Sequence, residues 1–290
     1  MVDSNRSTER RVPTRRVSLE ASFAGVPRHF AADGDLVSSH YAAALSGLFP
    51  DGEDYFVRSV RHYSDRITDP ELKRQVAGFI GQEAMHGREH RAFNARLDEL
   101  GYHTQRIERM TRKVLEFRER VAPPITNLAV TAALEHFTAT MAELILSSEE
   151  ARASFGDDSV RDLFLWHALE ESEHKAVAFD VYRAMGGSER LRVLTMKFIR
   201  IGFMIAVGLE MAWSLATDRA TYRPGNLRAS WRRFRRSPMM SPKLWAQLKE
   251  YDRPGFHPDD RDTAGLVAEW RDRLFGAEGS MVDKLVGAAA

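Results

Sequence analysis

The chain has 290 residues, of which 43% are hydrophobic and 29% charged, with a net charge of +1 and no cysteine. This composition is typical of a folded globular protein, and it excludes disulfides, thiolate metal ligands and a cysteine nucleophile. Balanced charge gives no reason to expect a nucleic-acid partner, and the lack of cysteine fits a cytoplasmic location.

Residues 1–34 form a polar, arginine-rich region with no apolar stretch behind its charges. A signal peptide requires such an apolar stretch, so this region is not expected to be one. We expect a basic flexible tail here instead. Helical patterns then predict a bundle over 35–220, followed by an extension over 221–290 that packs on it.

Long runs without strand-like alternation predict an all-α protein. Asp69 suits an N-cap, Pro70 suits the first helical position, and Gly101 suits the residue that ends the helix. Residues 106–121 are a charged helix or a connector. The predicted helices cover 37–67, 70–100, 125–153, 160–184, 189–217 and a stretch near 263–275.

The most apolar run is IGFMIAVGLEMAWSLA, residues 201–216. It is short for a membrane span and contains Glu210, so a buried or partner-facing helix is the favoured interpretation. The basic stretch RASWRRFRR, residues 228–236, follows soon after. Peripheral membrane contact through 189–245 therefore stays open as an alternative.

Two helices each carry an E-x-x-H unit, Glu83–His86 and Glu171–His174. Residues three apart lie on one helical face, so each pair can reach a common point. A single unit is a weak signal, because glutamate and histidine are common on helix surfaces. Two units are more informative, since di-metal helical bundles combine two E-x-x-H helices with two helices that each supply a glutamate.

The sequence offers one such glutamate ahead of each unit. Glu53 precedes Glu83 by 30 residues, with the Asp69 turn near the midpoint, so an antiparallel hairpin places the two at similar heights. Glu135 precedes Glu171 by 36 residues in a largely apolar helix. A glutamate buried there is costly unless it is paired or binds metal.

Further titratable residues share these helical stripes. His167 lies four residues before Glu171 and is a candidate additional ligand. His90 stays open between a ligand, a residue that supports a ligand and a core residue. Glu170 competes with Glu171 for the ligand position. Glu173 is expected to be solvated, and so is Glu89.

A set of four carboxylates and two or three imidazoles suits iron or manganese better than metals that prefer soft ligands. We therefore predict two iron ions as cofactors, with manganese or a mixed centre as the alternative. Four carboxylates also balance the charge of two divalent ions, which lowers the cost of burial.

The ligand order resembles that of the ferritin-like di-iron carboxylate proteins. His167 ahead of the last E-x-x-H is similar to the extra histidine ligand of the arylamine N-oxygenases in that class. Three blocks, FIGQEAMHGREHRAFN, TAALEHFT and WHALEESEHKAVAFDVY, together with RPGFHPDD, resemble the bacterial family of predicted metal-dependent hydrolases over roughly 35–270. The resemblance implies a ferritin-like four-helix bundle with additional C-terminal helices.

Three functions remain in competition. The leading hypothesis is an oxidoreductase that activates dioxygen or peroxide and oxidises a small organic substrate. The second is a hydrolase that uses a metal-activated water. The third is a non-catalytic metal-binding bundle.

An electron donor and a homodimer are further candidate partners. Apolar residues near the ligands could line a pocket or simply pack the core: Phe79, Phe137, Met141 and Trp166.

Overall fold

The computed structural model describes residues 12–287, and within that range the protein is helical without β-strands. This confirms the predicted all-α class. The α-helices of the described range are α1 (Leu36–Arg61), α2 (Pro70–Glu99), α3 (Thr104–Val121), α4 (Pro124–Ser147), α5 (Glu149–Ala153), α6 (Asp158–His174), α7 (Val177–Ala184), α8 (Glu189–Thr217), α9 (Asn226–Phe234), α10 (Pro242–Glu250) and α11 (Ala264–Phe275).

Local capping explains where the helices begin and end. The Asp69 side chain accepts a hydrogen bond from the Glu71 backbone N–H, with Pro70 in the first helical position, as predicted. Gly101 has a φ of +88° just after α2, which glycine adopts without strain. These signals are encoded within a few residues, so the sequence reveals them.

Two predicted helices are interrupted in the structure. The 125–153 prediction is wrong at Ser148, which is extended and caps α5 by accepting from the Ala151 N–H. The 160–184 prediction is wrong at 175–176, where α6 ends directly after His174. The short helices α9 and α10 were not predicted, because helices of this length depend on tertiary packing rather than on local pattern.

Four helices, α1, α2, α4 and α6, pack against one another and define a layered core. One apolar cluster includes Ala43, Phe93 and Ala142, and a second includes Tyr55 and Phe79. Along α1, α2 and α4, the predicted ligand positions fall between residues of these two clusters. The candidate site therefore occupies a polar layer with apolar layers on both sides.

The N-terminal region differs from the predicted flexible tail. Residues 12–34 pack on the bundle, with Val17, Leu19 and Phe23 buried in the core. Glu89 is also buried rather than solvated, and it accepts a hydrogen bond from the Leu19 backbone N–H at 2.7 Å. The apolar side chains of this region explain the difference, because they gain burial by crossing the bundle. Residues 1–11 of the predicted tail lie outside the described residues.

The C-terminal region contacts the bundle through buried side chains. The indole N–H of Trp270 in α11 donates to the Leu146 carbonyl at 2.9 Å, and Leu274 is buried in the same cluster. Lys175 Nζ donates to the Arg261 carbonyl at 2.7 Å. These contacts agree with an extension that packs on the bundle, while a domain boundary near residue 220 stays a prediction.

Helix α8 is the one described helix long and apolar enough to cross a membrane, judged by length and composition alone. Only 17% of its most apolar window is buried. The prediction of a buried helix at 201–216 is therefore wrong, because neighbouring helices cover only one side of α8. The alternative of a partner-facing helix remains.

We expect Gly78→Ala to destabilise the protein, because a Cβ there would lie 2.1 Å from the Val12 carbonyl oxygen of the N-terminal region. Overpacking of this kind costs about 1–3 kcal/mol. Gly202→Ala is the matched control: its Cβ meets nothing within 4 Å, and it should stabilise α8 by about 0.5–1 kcal/mol. Thermal unfolding of both variants checks this. Equal melting temperatures for Gly78→Ala and wild type would contradict the observed path of residues 12–34.

Candidate metal centre

The structure brings the predicted ligand residues together in the layer between the two apolar clusters. Helix α1 supplies one glutamate, α2 supplies an E-x-x-H pair, α4 supplies one glutamate and α6 supplies three residues. All are at most 4% exposed. They are Glu53, Glu83, His86, Glu135, His167, Glu171 and His174.

The donor atoms form two neighbouring groups. In each group the atoms lie within 4.8 Å of one another. One group contains Glu53, His86 and His167, and the other contains Glu83, Glu171 and His174. The two residues of the first E-x-x-H unit thus belong to different groups.

Glu135 joins the second group, and Glu171 lies between the groups. Glu135 Oε2 is 3.3 Å from His174 Nε2. Glu171 Oε1 is 3.0 Å from His167 Nε2 and 3.6 Å from His174 Nε2. The Thr138 hydroxyl donates to the other oxygen of Glu171. This position suits a carboxylate shared by two ions.

The buried donor atoms lack the hydrogen bonds that buried polar groups normally have. Among the described residues, both carboxylate oxygens of Glu53, Glu83 and Glu135 have no hydrogen-bond partner, and neither do His86 Nδ1 and His174 Nε2. Leaving so many polar atoms unsatisfied is costly. Divalent ions would satisfy them together, so the donor set suits an oxygen- and nitrogen-bound metal pair.

The outward nitrogen of each candidate histidine has a buried partner. His86 Nε2 lies 3.1 Å from Glu170 Oε2, and His174 Nδ1 lies 2.8 Å from Gln82 Oε1. A carboxylate or an amide oxygen can accept the imidazole N–H, and the other ring nitrogen then faces the two groups. Such outer contacts orient histidine ligands in metal sites. Glu170 therefore contacts a candidate ligand from outside the two groups.

His90 plays the same part for His167, with 2.7 Å between His90 Nε2 and His167 Nδ1. The Ser46 hydroxyl donates to Asn94 Oδ1 at 2.7 Å, so its oxygen accepts from His90 Nδ1–H at 2.9 Å. His90 Nε2 must then accept the proton of His167 Nδ1. This chain of hydrogen bonds orients the imidazole of His167 so that Nε2 is directed at the two groups.

Arg15 connects these outer contacts, although no local sequence pattern indicates this role. It donates to Glu170 Oε1 at 2.9 Å and to Glu173 Oε2 at 2.8 Å. Glu173 also accepts from Gln82 Nε2 at 2.8 Å. The prediction that Glu173 is solvated is wrong, because this glutamate is 2% exposed and paired with Arg15 and Arg271.

Burial dominates the electrostatics of the candidate centre. Burial, followed by the neighbouring carboxylates, raises the pKa of Glu53 and Glu83 well above the usual range and that of Glu135 to about 7. Burial also lowers the pKa of His86. Burial alone would lower the pKa of His174, but adjacent Glu171 and Glu135 raise it well above normal. Metal binding would displace the protons held here.

A second cluster, His29, His40 and Asp218, does not suit a metal ion. Arg28 Nε donates to Asp218 Oδ2 at 3.0 Å. The same oxygen lies 2.9 Å from His29 Nε2 and 3.1 Å from His40 Nε2. The guanidinium already balances the carboxylate, so this cluster is a structural hydrogen-bond network.

An apolar cavity reaches the candidate centre. It encloses about 770 Å³ together with its open mouth, and most of its wall is aromatic or aliphatic. His167 and Glu171 line it at the centre. The sequence suggested Phe79, Phe137, Met141 and Trp166 as pocket walls, and of these Met141 lines the cavity. Trp166 instead packs edge-on against His86, with 5.0 Å between ring centroids.

The family model of predicted metal-dependent hydrolases matches residues 13–262, which include every residue of the candidate centre. The chain belongs to the predicted metal-dependent hydrolase family. No curated protein and no solved structure matches it. Membership supports a metal-dependent enzyme, and it favours the hydrolase alternative over the oxidoreductase that was the leading prediction from sequence.

Substitution of the candidate ligands should lower the bound metal. Glu135→Ala removes two unpaired carboxylate oxygens from the centre and should lose at least half of the metal. Glu143→Ala is the matched control on the same helix, because Glu143 pairs with Arg261 at 2.9 Å. Elemental analysis after dialysis measures the difference. Equal metal content in the two variants would remove Glu135 from the ligand set.

Glu171→Ala should lose more metal than Glu170→Ala, because Glu171 lies between the two groups while Glu170 contacts only the outer nitrogen of His86. Glu170→Ala should weaken binding roughly 10–100-fold, as removal of an outer contact does. A metal titration monitored by calorimetry compares the two variants. The reverse order would place Glu170, rather than Glu171, at the metals.

The metal-free protein should lose stability as the pH rises from about 7 to about 9. In this range the folded protein still holds protons on Glu53 and Glu83 that the unfolded chain has released, because their pKa values are raised well above the usual range. The raised pKa of His174 acts in the same direction. We expect the melting temperature to fall by roughly 5 °C. The melting temperature of the metal-loaded protein should change less with pH. An equal change with and without metal would contradict the retention of protons by these carboxyl groups.

Proposed function

We propose that the protein is a two-metal enzyme that hydrolyses a small, largely apolar substrate. The observation that carries the proposal is the cluster of unpaired buried donor atoms beside an apolar cavity. Family membership supports the reaction class. A cytoplasmic location stays a prediction.

We also infer that α1, α2, α4 and α6 form a ferritin-like four-helix bundle. Helices α1, α2 and α6 contribute residues to the two groups, and α4 contributes Glu135, which lies 3.3 Å from His174 of the second group. Two E-x-x-H helices combined with two glutamate helices are the pattern of the ferritin-like di-metal proteins. The remaining helices would then be additions around the bundle.

The donor set favours two iron or manganese ions. One ion would be held by Glu53, His86 and His167, and the other by Glu83, Glu135 and His174. Glu171 would serve both. When bound, the ions would supply Lewis acidity and lower the pKa of a water molecule.

The protein's own residues position the substrate. Glu171 and Thr138 line the cavity, so they would face the polar end of a bound molecule. Phe49 and Ile145 line it as well and would hold the apolar part while excluding bulk water. Tyr41 is another wall residue, and burial raises the pKa of its hydroxyl to about 12. This hydroxyl donates to the Met141 sulfur at 3.8 Å and could donate to a substrate oxygen instead, because a thioether sulfur is a weak acceptor.

Oxidation is the second candidate, and the character of the cavity favours it. An apolar wall that limits access of water suits the oxidation of a hydrocarbon-like substrate, and redox-active ions would supply that chemistry with dioxygen or peroxide and an electron donor. The cavity also argues against a purely structural or storage role, because such a role needs no room for an organic molecule.

Turnover of acyl esters with and without dioxygen separates the candidates. The protein reconstituted with ferrous iron or manganese should cleave an apolar ester equally well in air and under nitrogen. Glu135→Ala should abolish cleavage, whereas Glu143→Ala should retain it. Consumption of dioxygen with loss of a hydrocarbon substrate would favour oxidation. Metal binding without turnover of either kind would contradict an enzymatic role.

A further inference from the structure

Helix α8 presents a long uncharged surface, here called the α8 face. Its large residues are 36–68% exposed, and no exposed residue from 201 to 216 carries a charge. At 1.5 Å per residue this stretch extends about 24 Å. Contiguous apolar surface of this extent marks an interaction site. The α8 face consists of Phe198, Ile201, Met204, Ile205, Leu209 and Trp213.

Residues 219–249, here called the basic segment, follow directly. They include nine arginines and lysines and no aspartate or glutamate, in a chain whose net charge is +1. Arg233 pairs with Asp35. Within the described part of the chain, Arg228, Arg232 and Arg236 are exposed and form no ion pair. The positive charge of the protein is therefore concentrated beside α8.

The basic segment packs against the C-terminal half of α8. Phe234 of α9 is buried in one cluster with Val207 and Met211. The Tyr222 hydroxyl donates to the Ala216 carbonyl at 2.8 Å. Tyr222 is 70% exposed, and Trp231 is 46% exposed. Aromatic residues of this kind are favoured at the boundary between lipid and water.

We propose that the α8 face and the basic segment dock the protein on an anionic lipid bilayer. The α8 face enters the headgroup region, and the arginines contact lipid phosphates. Helix α8 lies on the membrane rather than crossing it, because Met196, Val207 and Met211 on its other side are buried in the protein.

Charge distinguishes a lipid surface from a second copy of the chain. A symmetric dimer through α8 would bring two basic segments towards the same interface, and like charges there oppose association. An anionic bilayer instead complements the basic segment. A lipid surface therefore accounts for both the apolar α8 face and the basic segment, whereas a dimer accounts only for the α8 face.

The cavity described above extends to the basic segment, since Phe234, Ser237 and Met239 line it together with His167 and Glu171. The docked protein would thus take a lipid-soluble substrate from the bilayer towards the metal centre. This link rests on the proposed function, whereas the docking itself does not.

Flotation of the full chain with vesicles tests the docking without any assay of turnover. We expect binding to vesicles of phosphatidylcholine with phosphatidylglycerol, weaker binding to phosphatidylcholine alone and a decrease with salt. Arg232→Gln with Arg236→Gln should lower the affinity for anionic vesicles roughly thirtyfold. The charge-matched control is Arg61→Gln with Lys73→Gln, two exposed residues on other helices, which should bind as wild type does.

The apolar contribution has its own test. Ile205→Ser with Leu209→Ser should weaken vesicle binding at every salt concentration, because both side chains are exposed and lie on the α8 face. Quenching of tryptophan fluorescence by brominated lipid should accompany wild-type binding. Absence of vesicle binding would overturn the proposal. So would a dimer, detected by analytical ultracentrifugation, that the serine substitutions dissociate while vesicles bind neither form.

Discussion

Four carboxylates buried in one layer are the constraint on which this structure depends. Glu53, Glu83, Glu135 and Glu171 come from four helices, and apolar clusters lie on both sides of them. Burial, followed by repulsion from the neighbouring carboxylates, raises the pKa of Glu53 and Glu83 well above the usual range. A metal pair would convert this unfavourable arrangement into a stable one, so metal binding and folding are expected to be coupled.

The surroundings of the centre show how the rest of the chain supports it. Each candidate histidine is held from outside, by Glu170, His90 or Gln82. Arg15 then ties Glu170 to Glu173 and brings the N-terminal region into the same network. The packing of residues 12–34 therefore belongs to the architecture of the site. It fixes the orientation of imidazoles that lie far away in sequence.

The residues that local sequence patterns select are residues that the structure brings together. The E-x-x-H units depend on a three-residue spacing, and Glu53 is found by its distance from the Asp69 turn. Contacts between distant parts of the chain escape such reasoning, since Arg15 meets Glu173 across 158 residues. For a related reason, the sequence leaves open whether the apolar run of α8 is buried or faces a partner. An apolar run indicates that its side chains gain free energy when they are buried. It does not show whether neighbouring helices or an external partner cover them.

Anomalous X-ray diffraction from crystals of the metal-loaded protein, recorded at the metal absorption edge, tests the central claim most directly. The account predicts two peaks within bonding distance of the two donor groups, one beside Glu53, His86 and His167 and the other beside Glu83 and His174. Glu171 should lie between the peaks. A single peak elsewhere, or no peak among these residues in protein that retains metal, would contradict the assignment of this layer as a two-metal centre.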